Sequence, residues 1–299
     1  MVEDVLITEA GGDPNAGYEG KPTLELVELM NGADATVTAA VGAAAPAIAA
    51  TIDAISSRLR EGGRLVYVGA GSSGLIAALD ASECEATFST DPGQVVALVA
   101  GGTSGRPLVQ AAAEDDREAG VADVTAIGIG PADAVVGISA SGSAPYVLGA
   151  LDAAVTAGAL TACVVSSPES PLGSLVDHEI VVVVGPEFIA GSTRLKAGTA
   201  QKLVLNTIST VSMIRLGKTY GNLMVDVVAA NEKLVERVRR IVAAATGASA
   251  TEVESALAEA DGDTRVAIVA IVAGVDVQEA RQRLDGSGRS IAHALKETS

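Results

Sequence analysis

The stretch that most constrains this chain is residues 64–84, RLVYVGAGSSGLIAALDASEC. Leu65, Val66, Tyr67 and Val68 form a short apolar run with β-branched and aromatic members, the pattern of a strand covered on both faces. Gly69, Gly71 and Gly74 flank Ser72 and Ser73. The backbone can therefore turn sharply there, approach a ligand closely, and offer N–H groups and hydroxyls at a helix start. The pattern predicts a strand, a tight loop, and a helix with a carboxylate in its last turn. The same glycines satisfy the dinucleotide spacing G-x-G-x-x-G. A dinucleotide reader wants an acid at the end of the next strand, and here Val95 to Val99 runs into Ala100, Gly101 and Gly102. Phosphate site, dinucleotide site and plain turn are all readings of this loop alone; the missing acid tells against NAD, and the paired serines favour a monophosphate.

Residues 133–152, DAVVGISASGSAPYVLGALD, repeat the device, with a strand through Ile138, a loop carrying Ser139, Ser141, Gly142 and Ser143, and Pro145 at a helix start. Loops of a parallel sheet emerge at its carboxyl end, so two copies from nearby strands can meet in one crevice. Further strands are expected at Val95–Val99, Leu160–Val165 and Ile180–Val184. Alternation of strands and helices predicts an α/β fold, a three-layer α/β/α sandwich with a mainly parallel sheet. Before it come an irregular arm, a short helix from Thr23, and a long helix from Asp34 to Arg60 kinked at Pro46. The polar stretch Cys84 to Gly93 reads as a loop, and Glu114, Asp115 and Asp116 fall within a helix ending at Gly120. The expected organisation is an arm with helices over 1–60, the α/β domain over 61–224, a linking helix over 225–246, and a small three-helix module over 247–299.

Composition excludes several classes. A net charge of −17 repels nucleic acid and anionic membranes, and with 2% aromatic residues and no Trp there are few platforms for stacking bases. No uninterrupted apolar run approaches the roughly 20 residues of a membrane span. The acidic N-terminus lacks a signal-peptide pattern, and two isolated cysteines, Cys84 and Cys163, suit a reducing compartment, so a cytoplasmic location is expected. His178 and His293 are the only histidines, with no metal-ligand spacing around them; no metal or cofactor is expected. Acid–base work must then fall to carboxylates or Lys.

Each candidate has a bland reading. Glu83 suits a solvated helix face, and the run Glu114, Asp115, Asp116 suits a surface. Lys196 could neutralise an anion or form an intersubunit ion pair, Glu187 could orient a sugar hydroxyl or close a turn, and Asp226 could cap a helix.

Taken together, GAGSSG with DASEC, AEDD, ISASG with PYVLGAL, GPE with GSTRLKAGTAQKLVLN, and RLGKTYGNLMVDV with NEKL resemble the N-acetylmuramic acid 6-phosphate etherases, which carry a sugar-isomerase (SIS) domain. The resemblance spans nearly the whole chain. It implies cleavage of the D-lactyl ether of a phosphorylated amino sugar, giving N-acetylglucosamine 6-phosphate and D-lactate by elimination and water addition, with no cofactor. It further implies that Glu83 protonates the departing lactate oxygen and that Glu114 is the second acid–base residue. Ser72, Ser73, Ser139 and Ser141 would bind the phosphate, and Gly71, Ser143, Glu187 and Lys196 are expected to line the substrate pocket with them. The 247–299 tail is similar to the family's ubiquitin-associated-like module, and a homodimer with pockets shared between chains is expected.

The chain departs from the family where Leu75, Ser143 and Ala144 replace the usual Arg, Arg and Thr, where Glu85 and Ala86 replace two prolines, and where the arm has Gly12-Asp13-Pro14. These changes remove positive charge near the anion. They keep two other readings open, a non-catalytic sugar-phosphate sensor and an aldose–ketose phosphate isomerase.

Overall fold

The computed structural model describes residues 17–103, 112–226 and 232–296, and the N-terminal Gly12-Asp13-Pro14 lies outside them. The residues fall into two compact units, one of 1–82 with 93–209, the other of 83–92 with 210–299.

In the first unit five parallel strands form a sheet: β1 (Leu65–Gly69), β2 (Val95–Val99), β3 (Ala134–Ile138), β4 (Leu160–Val165) and β5 (His178–Val181), in the order β2-β1-β3-β4-β5. Every residue of β1, β3 and β4 is buried, which is why they read as continuous apolar runs without alternation. One face packs Val66, Val68, Val135, Cys163 and Val165 against helix α6 (Pro145–Thr156) through Tyr146, Val147, Leu151 and Ala154. On the other face Tyr67 donates from its hydroxyl to Asp80 of helix α4 (Gly71–Phe88) at 3.0 Å. The same buried carboxylate accepts from Asn206 and Ser209 of helix α7 (Lys196–Arg215), and helix α3 (Ala45–Arg60) packs on β4 and β5. The three-layer sandwich is therefore present.

Several local expectations shift. The segment from Asp34 to Arg60 is two helices, α2 (Val37–Ala43) and α3, broken at Ala44 with Pro46 in the first turn of α3. Proline suits a helix start better than a helix interior. Preceding them, α1 (Thr23–Asp34) buries none of its residues. Helix α4 continues to Phe88, through much of the stretch expected as loop. Strand β5 starts two residues early and stops at Val181, because its partner β4 ends at Val165. Helix α5 (Arg117–Ala126) begins only after the acidic run: Asp116 caps it by accepting from Ala119 N, and Glu114 lies in the preceding turn. Gly120 is inside this helix, not at its end. A Cβ there would lie 2.0 Å from the Tyr146 carbonyl oxygen, so the glycine lets α5 and α6 cross in close contact.

The second unit contains a two-stranded antiparallel ribbon, β6 (Thr219–Tyr220) and β7 (Leu223–Met224), at the end of the stretch expected as α/β domain. It also has helices α8 (Glu232–Thr246), α9 (Ala250–Glu259), α10 (Thr264–Ala273), α11 (Val277–Gly286) and the short α12 (Ile291–Ala294). Val225, Val238, Ile241, Val242, Val253, Ile268, Leu284 and Ile291 belong to their common core. Asp226 pairs with the buried Arg265, whose Nε donates at 2.8 Å, and with Lys218 Nζ at 3.0 Å, and any helix it would cap lies outside the described residues. Among the described residues no single helix is long and apolar enough to cross a membrane.

Candidate active site

Strand β1 feeds the first glycine loop and β3 the second. These strands are sheet neighbours, and the chain order reverses between them, since β2 lies on the far side of β1 and β4 on the far side of β3. A crevice outside the carboxyl ends of strands at such a reversal is where open α/β sheets bind ligands. Here it is a cavity of about 170 Å³ lined by Ala70, Gly71, Ser72 and Ser73 of the first loop, Ile138, Ser139, Ala140, Ser141 and Ala144 of the second, and by Glu114 and Thr193.

The close packing of the first loop depends on Gly74. A Cβ at that position would lie 2.7 Å from the Gly69 carbonyl oxygen and 2.8 Å from a methyl of Val99. The second loop is bound up by its own hydroxyls: Ser139 Oγ accepts from Gly142 N at 3.1 Å, and Ser141 Oγ lies 2.9 Å from Ser143 Oγ and accepts from Ser143 N at 3.3 Å. Helices α4 and α6 begin at these two loops and direct the positive ends of their dipoles toward them. None of the described residues lining the crevice is Lys or Arg. An anion held there relies on hydroxyls, backbone N–H groups and helix dipoles.

Glu114 supplies the only carboxylate among the lining residues described. Its main-chain oxygen accepts from Tyr146 N at 2.9 Å, which ties its turn to the first turn of α6. Burial, reinforced by the neighbouring Asp115 charge, pushes its carboxyl above the usual carboxylate range. A carboxyl so tuned, beside two hydroxyl-bearing loops, is suited to exchange protons with a ligand in the crevice.

The structure thus brings together Gly71, Ser72, Ser73, Ser139, Ser141 and Glu114, with Ser143 exposed and joined to them through Ser141. Glu83, Glu187 and Lys196 are not among the lining residues. Glu83 is exposed on α4, within the part of that helix belonging to the second unit. Glu187 and Lys196 are buried with internal partners. Thr193 lines the crevice without having been singled out by sequence; its position just before α7 was the available signal. Of the family departures, Ala144 lines the crevice, whereas Leu75 is 45% exposed on α4.

Residues 45–155 match the glucokinase regulatory protein N-terminal SIS domain family. In fold, a phosphoheptose isomerase from Francisella tularensis is similar, with TM-score 0.50 and 21% identity over 64% of this chain and 100% of that one. Strand order, paired serine loops and these likenesses define the first unit as a SIS domain. Over 98% of its length the chain is also 53% identical to the N-acetylmuramic acid 6-phosphate etherase of Streptomyces avermitilis, covering 94% of that protein. It is 53% identical to the etherase of Rubrobacter xylanophilus over 98% of this chain and 96% of that protein. The chain belongs to the N-acetylmuramic acid 6-phosphate etherase family.

Proposed function

We propose that this protein is a carbon–oxygen lyase that cleaves the lactyl ether of N-acetylmuramic acid 6-phosphate, giving N-acetylglucosamine 6-phosphate and D-lactate. The observation that carries the reading is a half-buried carboxyl of raised pKa, Glu114, in one crevice with two hydroxyl-bearing glycine loops. Opening of the sugar ring exposes a C1 aldehyde, which acidifies the C2 proton. Loss of that proton expels the C3 oxygen, and the departing lactate oxygen takes a proton from an acid. Water then adds at C3 of the unsaturated aldehyde, and a proton returns to C2. Glu83 is the acid for lactate, and Glu114 serves the water addition. Cys84 and Cys163 are buried and form no disulfide with each other, which suits a reducing cytoplasm.

Purified protein is expected to release D-lactate from this substrate, with losses of at least about a hundredfold in kcat for Glu83→Ala and Glu114→Ala. Full turnover by either variant would remove that residue from the mechanism. The match to a regulatory protein's SIS domain favours one other reading, a sensor that binds sugar phosphate without turnover. Binding without lactate release, and without C2 proton exchange in deuterium oxide, would establish the sensor instead.

The protein works as a homodimer in which each pocket takes Glu83 from the second copy. Two observations support this. Leu75 and Leu79 are 45% and 48% exposed, and with Glu83 they fall at spacings that share one stripe of α4. Helix α1 likewise leaves Leu24 and Val27 exposed. Apolar faces of this kind are ordinarily covered by a partner. Mixing Glu83→Ala protein with Glu114→Ala protein under subunit exchange then rebuilds one intact site per mixed dimer, and activity returns. If both acids act within one chain, the mixture stays as inactive as its components.

A further inference from the structure

Helix α7 starts beside the loop that contributes Thr193, and its first N–H groups are fully used within the fold. Glu187 Oε2 accepts from Lys196 N at 2.9 Å, and Oε1 accepts from Ala197 N at 3.0 Å. Gly198 N donates to the Thr193 carbonyl at 2.9 Å, and Thr199 N to that of Leu195 at 2.9 Å. Lys196 Nζ is also engaged, donating to Val184 O at 2.7 Å in a buried position. The helix terminus is therefore not left to attract a substrate anion, and Lys196 turns its ammonium to a buried carbonyl instead of lining the crevice. What this segment presents to the crevice is Thr193, fixed through its own carbonyl to the start of the helix.

A phosphate dianion in this crevice needs many donors, because none of the described lining residues is cationic. The serine loops supply hydroxyls from two sides. A threonine on a third segment, its backbone already ordered, adds a donor at little further entropic cost. We propose that Thr193 is a substrate-binding residue whose hydroxyl donates to the phosphoryl group of the sugar phosphate, while Glu187 acts as a positioning residue by clamping α7 behind it. This rests on the sugar-phosphate reading given above.

Titration calorimetry with N-acetylglucosamine 6-phosphate, together with the phosphorus-31 resonance of the bound ligand, tests it. Thr193→Val, which keeps shape and removes the hydroxyl, is expected to weaken binding about tenfold or more and to move the bound resonance. Thr193→Ser, which restores a hydroxyl, should recover most of the affinity and bring the resonance back toward its wild-type position. Equal affinity of wild type and Thr193→Val overturns the inference while leaving the function standing. Weaker binding with an unmoved resonance, or weakening by Thr193→Ser as large as by Thr193→Val, also overturns it. Absence of binding by wild type rejects the sugar-phosphate reading itself.

Discussion

At Glu114 two influences act in the same direction: partial burial disfavours the charged form, and the Asp115 carboxylate repels it. Removing the second influence is a sharp test, because Asp115 is exposed. Asp115→Asn is expected to lower the Glu114 pKa, so the limb of the kcat/KM profile belonging to Glu114 moves to lower pH. Asp116→Asn leaves the α5 cap a usable side-chain acceptor and should move that limb less. A profile unchanged by Asp115→Asn would mean that another group sets the limb. The serines were legible in the sequence because a glycine-flanked hydroxyl between strand and helix has few other uses. Glu187 was legible as important, but spacing could not reveal that both its oxygens are spent on the backbone of α7. Nor could it separate Thr193, which reaches the crevice, from Lys196, which turns inward; only packing decides that.

Among the elements, the crossing of α5 and α6 has the greatest bearing on the site, since α6 starts at the second loop and its Tyr146 N–H holds the Glu114 turn. Gly120→Ala would drive a methyl into the Tyr146 carbonyl, a backbone atom that cannot swing aside. A destabilisation of about 1–3 kcal/mol is expected, with a fall in kcat/KM from displacement of Glu114. Gly130→Ala, where a Cβ meets nothing within 4 Å, should lie within about 0.5 kcal/mol of wild type. Denaturant unfolding of both variants checks the contrast. Sequence patterning found β1, β3 and β4 through the plain apolar signature that burial on both faces leaves, and the partly buried edge strands β2 and β5 through their β-branched residues. Helix boundaries fared worse: Gly120 imitates a helix end while serving a helix crossing, and the polar residues after Cys84 extend α4 for one more turn because a helix with a solvent-exposed side accepts them.

For the whole molecule, the tail was expected as a small three-helix module over 247–299. The second unit is larger, drawing in residues 83–92 and 210–246, and it carries the Asp226, Arg265 and Lys218 cluster. Such long-range pairing is invisible in a single sequence, because Asp226 and Arg265 stand 39 residues apart. The charge of the chain, by contrast, was read at once, and it has a bearing on the crevice. A total of −17 surrounds a crevice whose described walls hold no cation. Far from the protein, an approaching phosphate meets net repulsion; in contact, it meets only short-range donors. Dissolved salt weakens the first much more than the second. Raising potassium chloride from about 10 mM toward physiological strength should therefore increase kcat/KM, whereas enzymes that steer anions with lysine and arginine slow down under the same change. A decline would point to cationic steering from outside the described walls.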